Sequence, residues 1–239
     1  MIRGHMVKIG GLDLSEGPGV VAVISRFPVE QAKAALLQGA DMLEIRLDLL
    51  GIKDTKSALK MIAEVKAAVN IPCIATNRLP NDGGKWEGTE EKRIQLLLDI
   101  LPVVDAVDVE LAAVADLREK LISTAHELGK TAIVSHHDFN GTPPMEKIRN
   151  MLEMAWQSGG DIAKFAAKAN STADTMNLLR VTHAATRPVC LISMGDIGKH
   201  TRVIAPFYGS VLTYGSIDEA VAPGQLNIAE LKRTMRLLL

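Results

Sequence analysis

Short apolar segments of β-type composition alternate with longer segments of helical pattern along almost the whole chain. Eight such pairs are present, and the apolar segments recur about every 27 residues, close to the length of one strand–helix–strand unit. At 239 residues the chain has the size of a (β/α)8 barrel, and no linker or low-complexity tract divides residues 1–239, which predicts one domain. The predicted strands are residues 20–25, 42–47, 73–77, 106–111, 132–136, 161–166, 189–193 and 211–214.

Local signals support the alternation of strands and helices. Helix starts are predicted at Asp54, at Thr142 followed by Pro143 in the first turn, and at a capping box in residues 171–174. Near the amino terminus, residues 7–14 are expected to form a hairpin that closes the floor of a barrel.

The two faces of the predicted strands distinguish a closed barrel from an open sheet. From the second strand to the sixth, residues of one parity are often polar or ionisable, whereas the opposite parity is almost wholly apolar. Ionisable groups on one face of five neighbouring strands do not suit an open sheet with helices on both faces. We therefore predict a parallel eight-stranded TIM barrel with a site at the carboxyl ends of its strands. The polar set comprises Glu44, Arg46, Thr76, Arg78, Asp108, Glu110, Ser135, His137 and Lys164.

Lys164 is the most informative of these residues, because it is the only charge inside the short apolar run at residues 162–166. Its parity places it on the inner face of the barrel. Burial disfavours the charged form of an amine, and the neutral amine is the form that attacks a carbonyl group. The sequence therefore indicates a Schiff-base lysine.

Composition excludes several other classes of function. The formal net charge of −1 gives no basic excess for nucleic acid or an anionic membrane, so a small-molecule ligand is expected. Cys73 and Cys190 lie far apart in apolar runs, which is typical of reduced, buried thiols. No apolar stretch is long enough for a membrane span, and residues 1–11 lack the apolar core of a secretory signal, so a cytoplasmic location is expected.

Five motifs follow one another along the chain at successive strand ends. They are residues 44–48 (EIRLD), 135–139 (SHHDF), 161–164 (DIAK), 193–195 (SMG) with Thr201 and Arg202, and 222–225 (APGQ). Together they resemble type I 3-dehydroquinate dehydratase. The resemblance implies a lyase of the shikimate pathway of aromatic amino acid biosynthesis, which dehydrates 3-dehydroquinate to 3-dehydroshikimate. It also implies a homodimer that uses no metal or organic cofactor.

The resemblance assigns expected roles to individual side chains. Lys164 matches the residue that forms the imine, and His137 matches the residue that transfers the proton. Glu44 matches the carboxylate that orients and polarises this histidine, and Arg202 matches the partner of the substrate carboxylate. The rest of the pocket wall and the hydroxyl contacts are matched by Arg46, Arg78, Tyr214 and Gln225.

Other interpretations of these residues remain open from sequence alone. Lys164 could reach solvent over a buried stem. Only one of two adjacent histidines can face the pocket; His137 shares the face of Ser135, so His136 is expected to pack or to hydrogen-bond elsewhere. Glu44 could be only the buried ion-pair partner of an arginine such as Arg46. Supporting or structural roles are open to Arg46, Arg78, Asp108 and Glu110.

The chain also departs from the family pattern. His136 stands where a tyrosine is common, and Lys168, a rival nucleophile expected to reach solvent, stands where an apolar residue is usual. Asp82 takes the place of a longer carboxylate, which puts the assistance expected there in doubt. Val221 replaces a serine and removes one expected hydroxyl contact, for which Ser216 is a candidate replacement.

Two further features concern access and competing functions. Residues 215–225 are long for a strand–helix loop, and we predict that they form a lid. The alternative enzyme is a class I Schiff-base aldolase of a sugar phosphate, since glycines in the loops after strands seven and eight also suit phosphate. A catalytically inactive barrel that only binds ligand is the non-enzymatic alternative.

Overall fold

The computed structural model of the protein describes residues 7–238. Eight strands form one sheet: from the first strand to the seventh, each pairs in parallel with the next along the chain, and the eighth pairs in parallel with the first. Between the seventh and eighth of these strands, Val211 N donates to Val189 O at 2.8 Å, next to a bridge between Val189 and Ser210. The sheet is therefore a nearly closed barrel, which confirms the predicted fold. The strands are β3 (Gly19–Ile24), β4 (Met42–Arg46), β5 (Cys73–Thr76), β6 (Ala106–Glu110), β7 (Thr131–Asp138), β8 (Ile162–Lys168), β9 (Val189–Met194) and β10 (Leu212–Gly215).

Helices on the outside of the barrel connect successive strands, and one more helix follows the last strand. Their apolar sides pack against the outward residues of the strands and form the larger of two apolar clusters. The connection after β9 differs, because its α-helix has only four residues and continues as the 3-10 turn Ala205–Tyr208. The helices are α1 (Pro28–Leu37), α2 (Thr55–Ala68), α3 (Glu90–Ile100), α4 (Ala115–Glu127), α5 (Met145–Gln157), α6 (Thr172–Ala184), α7 (Thr201–Ile204) and α8 (Ile228–Leu238).

Two of the three predicted helix starts are confirmed. Asp54 accepts a hydrogen bond from the backbone amide of Ser57 at 2.9 Å, and residues 171–174 form a capping box. The third is wrong, because α5 begins at Met145 without a side-chain cap. The hydroxyl of Thr142 instead donates to the carbonyl of Lys168 at 2.9 Å and ties the loop before α5 to the end of β8.

A short hairpin covers the amino-terminal end of the barrel. Strands β1 (Lys8–Ile9) and β2 (Leu12–Asp13) pair in antiparallel fashion, and Ile9 packs into the apolar cluster inside the barrel. The same cluster contains Met42 and Leu212, the first residues of their strands. The predicted floor is thus confirmed for residues 7–14.

The register of the sheet places the polar parity inside the barrel. Ser135 and Lys164 are paired across β7 and β8, and Thr76 is paired with Asp108 across β5 and β6. The outward parity is apolar, as predicted. Cys73 and Cys190 are buried and not joined in a disulfide. No helix within residues 7–238 has the length and apolarity needed to cross a bilayer.

Candidate active site

A cavity opens at the carboxyl ends of the barrel strands and is lined by side chains from many parts of the chain. The structure brings to it all but one of the residues predicted for the site: Glu44, Arg46, Arg78, His137, Lys164, Arg202, Tyr214 and Gln225. Ser216 is the exception. It is buried, and its hydroxyl donates to the carbonyl of Leu226 at 3.4 Å, so the structure does not offer it as a replacement for the serine absent at Val221.

Lys164 projects from the middle of β8 into the barrel and is only 5% exposed. Its Nζ donates to Asp108 Oδ2 at 2.9 Å and lies 3.5 Å from Glu44 Oε1. The ring centroid of Tyr214 is 4.0 Å from Nζ. Carboxylates and the face of an aromatic ring both favour an ammonium group. The inward orientation predicted for Lys164 is therefore confirmed, and two carboxylates and an aromatic ring surround its amine.

A buried network of charges lies beneath the cavity. Arg78 Nη1 contacts Asp108 Oδ1 at 2.7 Å, Glu110 Oε1 at 2.9 Å and Ser135 Oγ at 2.6 Å. Glu110 is also paired with Arg93 at 2.7 Å. Burial opposes ionisation of Asp108, but the charges of Arg78 and then Lys164 outweigh it and hold the pKa of Asp108 well below its usual range. Asp108 and Arg78 therefore remain ionised, and the network fixes the inner ends of these side chains.

His137 lies at the edge of the same cavity, and its side chain is 11% exposed. Burial and, second, the positive charge of Arg78 lower the pKa of His137 from 6.5 to about 4. Its Nδ1 is 3.2 Å from Asp82 Oδ2, which also accepts the backbone amide of His137 at 3.0 Å. The ring is thus neutral near pH ~7 and held by one carboxylate.

The carboxylate beside His137 is Asp82, and the expected pairing with Glu44 is wrong. Glu44 Oε1 instead accepts the hydroxyl of Thr76 at 3.0 Å and approaches Lys164 and Arg78. Glu44 is directed along the inner face of β4 toward β5 and β8, whereas Asp82 comes from the loop after β5 and reaches the end of β7.

The loop that carries Asp82 depends on two glycines. Residues Pro80–Asp82 form a 3-10 turn that ends at Gly83 with φ 82°. A Cβ atom on Gly84 would lie 2.0 Å from the carbonyl oxygen of Arg78, so only glycine allows this close approach. The doublet Gly83-Gly84 after Asp82 is the sequence signal that could have identified the carboxylate beside His137.

The cavity contains two other arginines with different surroundings. Arg46 forms a bidentate pair with Asp48, with Nε to Oδ1 at 2.8 Å and Nη2 to Oδ2 at 2.7 Å, so its partner is not Glu44. Arg202 is 2% exposed and has no carboxylate partner within residues 7–238. Its donors reach three backbone carbonyls at 2.9–3.3 Å, and burial lowers its pKa to about 10. A buried cation without a counter-charge is a site for an anion.

The segment after β10 forms one wall of the cavity through Val221, residues 222–223 and Gln225. Arg202 holds this wall by donating to the carbonyls of Pro223 and Gly224. The side-chain oxygen of Gln225 accepts the backbone amide of Val221 at 2.7 Å, which leaves its amide NH2 group available to a ligand.

The two alternative residues considered from sequence lie away from the cavity. The His136 ring stacks on Phe165 with centroids 5.8 Å apart, on the side of the sheet that faces the helices. Lys168 is exposed at the end of β8. Both placements were predicted.

In the part of the chain that the structure describes, no three His, Cys, Asp or Glu side chains are grouped as a metal site.

The model of the family Type I 3-dehydroquinase matches residues 27–239. This chain belongs to that family. The 3-dehydroquinate dehydratase of Methanococcoides burtonii is 50% identical over 233 residues, which cover 98% of this chain and 100% of that protein.

Two solved structures show the same relationship. Type I 3-dehydroquinate dehydratase from Clostridium difficile, with covalently modified comenic acid, has a TM-score of 0.91 at 28% identity and covers 98% of this chain and 97% of its own. The 3-dehydroquinate dehydratase of Geobacillus kaustophilus has a TM-score of 0.93 at 26% identity and covers 99% of this chain and 97% of its own. The resemblance to type I 3-dehydroquinase seen in five motifs is thus confirmed over nearly the full chain.

Proposed function

We propose that this chain dehydrates 3-dehydroquinate to 3-dehydroshikimate through an imine on Lys164, as a lyase of the shikimate pathway. The observation that carries the proposal is one cavity that combines a buried primary amine, a neutral histidine and an arginine with no carboxylate partner among residues 7–238. The relatives named as 3-dehydroquinate dehydratases support the substrate. The structure of the C. difficile protein with covalently modified comenic acid supports covalent chemistry in a protein of the same type.

Substrate orientation follows from the charges of the cavity. The carboxylate of 3-dehydroquinate binds Arg202, whose guanidinium already lies between β10 and the segment that ends at Gln225. Ring hydroxyls bind the free amide NH2 group of Gln225 and the edge of the Arg46–Asp48 pair. With the carboxylate fixed in this way, the ketone is directed toward Lys164 in the interior.

The reaction begins once the ammonium of Lys164 has given up a proton to solvent. The neutral amine attacks C3 of the substrate, and loss of the carbonyl oxygen as water leaves an iminium. This electron sink acidifies the neighbouring C2–H bond. Neutral His137 removes that proton, and the electron pair enters the conjugated system. His137 then returns the proton to the departing C1 hydroxyl, which leaves as water. Hydrolysis of the remaining iminium releases the enone and restores Lys164.

Asp82 positions His137 in this proposal. Its carboxylate contacts Nδ1, so Nε2 is the nitrogen left to face the substrate. The same carboxylate oxygen accepts the backbone amide of His137 at 3.0 Å, so Asp82 is itself fixed against β7.

The test is the formation of enone absorbance from 3-dehydroquinate. The wild-type protein should produce it, and Lys164→Ala should not. The matched control is Lys168→Ala, which removes an exposed lysine from the same strand and should retain activity. His137→Ala should still form the imine but should stall before the enone. Absence of enone with the wild-type protein, or full activity of Lys164→Ala, would refute the proposal. A homodimeric state and a cytoplasmic location stay predictions.

A further inference from the structure

Asp108 lies below the cavity and is fully buried on β6. It is not part of the cavity wall. Both of its oxygens are already occupied: Oδ2 accepts from Lys164 at 2.9 Å, and Oδ1 accepts from Arg78 and from the hydroxyl of Ser135, each at 2.7 Å. Because Asp108 lies outside the cavity wall, it can affect a bound substrate only through its partners, of which Lys164 and Arg78 line the cavity.

The position of Asp108 is fixed from the opposite side. Arg78 is itself buried and paired with Glu110, and Ser135 lies on the neighbouring strand β7. The carboxylate cannot move with Lys164 without breaking two short hydrogen bonds. The flexible four-carbon side chain of Lys164 is thus held at its Nζ end by a rigidly fixed carboxylate.

Several titratable groups from different strands face Lys164, and their contributions differ. Asp108 is the nearest carboxylate. Glu44 is more distant at 3.5 Å, and its contacting oxygen is shared with Thr76 at 3.0 Å. Positive charge comes from Arg78, which shares Asp108 as a counter-ion. These groups include Glu44 on β4, Arg78 after β5, Asp108 on β6, His137 on β7, Cys190 on β9 and Tyr214 on β10, and Arg202 shares the cavity with them.

We infer that Asp108 is the positioning residue for Lys164: its hydrogen bond holds Nζ in place in the free protein, and its charge influences the pH at which the amine becomes nucleophilic. The inference rests on the proposed imine mechanism for its effect on turnover. Its effect on the amine itself does not depend on any substrate.

The first measurement is trace labelling of Lys164 with acetic anhydride as a function of pH, read by peptide mass mapping. Only the neutral amine reacts. Asp108→Asn removes the nearest opposite charge and should move the midpoint of labelling to lower pH, so that labelling near pH ~7 rises roughly tenfold or more. Turnover should nevertheless fall roughly 100-fold, because the more reactive amine is no longer held in place. Misfolding would also expose Lys164 and raise its labelling, but with the midpoint of an ordinary exposed lysine near pH ~10.4, so a midpoint shifted to lower pH distinguishes the two cases.

Two variants serve as controls. Asp108→Glu keeps the charge and should keep the midpoint of labelling near that of the wild type, with a lower kcat and little change in KM. This variant also tests the inference if Asp108→Asn does not fold. Glu110→Gln perturbs the same arginine network but has no contact with Lys164, so it should lower thermal stability with a much smaller shift of the midpoint.

The outcomes separate the two proposals. If folded Asp108→Asn shows an unchanged or higher midpoint, Asp108 does not control Lys164, whether or not the wild-type protein turns over dehydroquinate. If Asp108→Glu has wild-type kcat, the positioning role is also wrong. Failure of the wild-type protein to produce enone contradicts the proposed function alone, and the labelling still reports on Asp108.

Discussion

The low pKa of His137 should make the stability of the folded chain depend on pH. In the unfolded chain the pKa of a histidine is near its ordinary value of 6.5, whereas in the folded protein the pKa of His137 is about 4. Its contribution to the free energy of unfolding is therefore complete above pH ~6.5 and is lost as the pH falls toward about 4. Between about pH 7 and about pH 4.5 this loss amounts to about 2 kcal/mol.

The assay is thermal unfolding at these two pH values, followed by circular dichroism. The comparison variant is His137→Gln, which retains a polar side chain but cannot take up a proton in this range. For a chain of this size, about 2 kcal/mol corresponds to ~4–8 °C in Tm. The Tm of the wild-type protein should therefore fall by ~4–8 °C more than that of the variant. Substitution of the exposed His183 by glutamine is the control and should leave the wild-type pH dependence.

Nuclear magnetic resonance of the labelled imidazole gives a second readout of the same quantity. The hydrogen bond to Asp82 raises the pKa of His137 against the larger effects of burial and Arg78. Asp82→Asn should therefore move the titration to still lower pH. The assignment of a neutral, buried base would be refuted by two results together. The Tm of the wild type and of His137→Gln would show the same pH dependence, and the His137 imidazole would titrate near pH ~6.5.

Other predictions concern the cap of α2, the loop after β5 and the anion site. Asp54→Ala removes a helix cap and should lower the urea midpoint of unfolding, whereas Asp54→Asn should retain most of the stability contributed by the cap. Gly84→Ala places a methyl group against the carbonyl of Arg78, so it should reduce kcat through displacement of the loop while KM changes less. Arg202→Gln should raise KM roughly tenfold or more, because a hydrogen bond to a charged group contributes about 1.5–3 kcal/mol. A KM equal to that of the wild type would show that the substrate carboxylate binds elsewhere.

Much of the barrel could be predicted because the pattern of the strands is local. Side chains alternate between the two faces of a strand, and the parity of Glu44, Ser135 and Lys164 therefore indicated the inner face without any knowledge of the tertiary structure. The same argument separated His137 from His136. The start of α5 was predicted wrongly because Thr142 has an acceptor from β8 that no local pattern reveals.

The partners within the site could not be predicted in the same way. Which carboxylate reaches His137 depends on the path of a loop, and this path depends on the close approach of Gly84 to Arg78. Similarly, parity placed Lys164 and Asp108 inside the barrel but did not give the 2.9 Å contact between them, which arises from strand register across the interior. These pairings are tertiary, and they decide the charge states that the chemistry requires.

The central claim is that Lys164 forms a covalent bond with the substrate inside the barrel. Borohydride reduction in the presence of 3-dehydroquinate, followed by peptide mass mapping, tests it most directly. A stable adduct on Lys164, absent when substrate or borohydride is omitted, is the predicted result. An adduct on Lys168 or another lysine, or active protein that yields no adduct, would contradict the account.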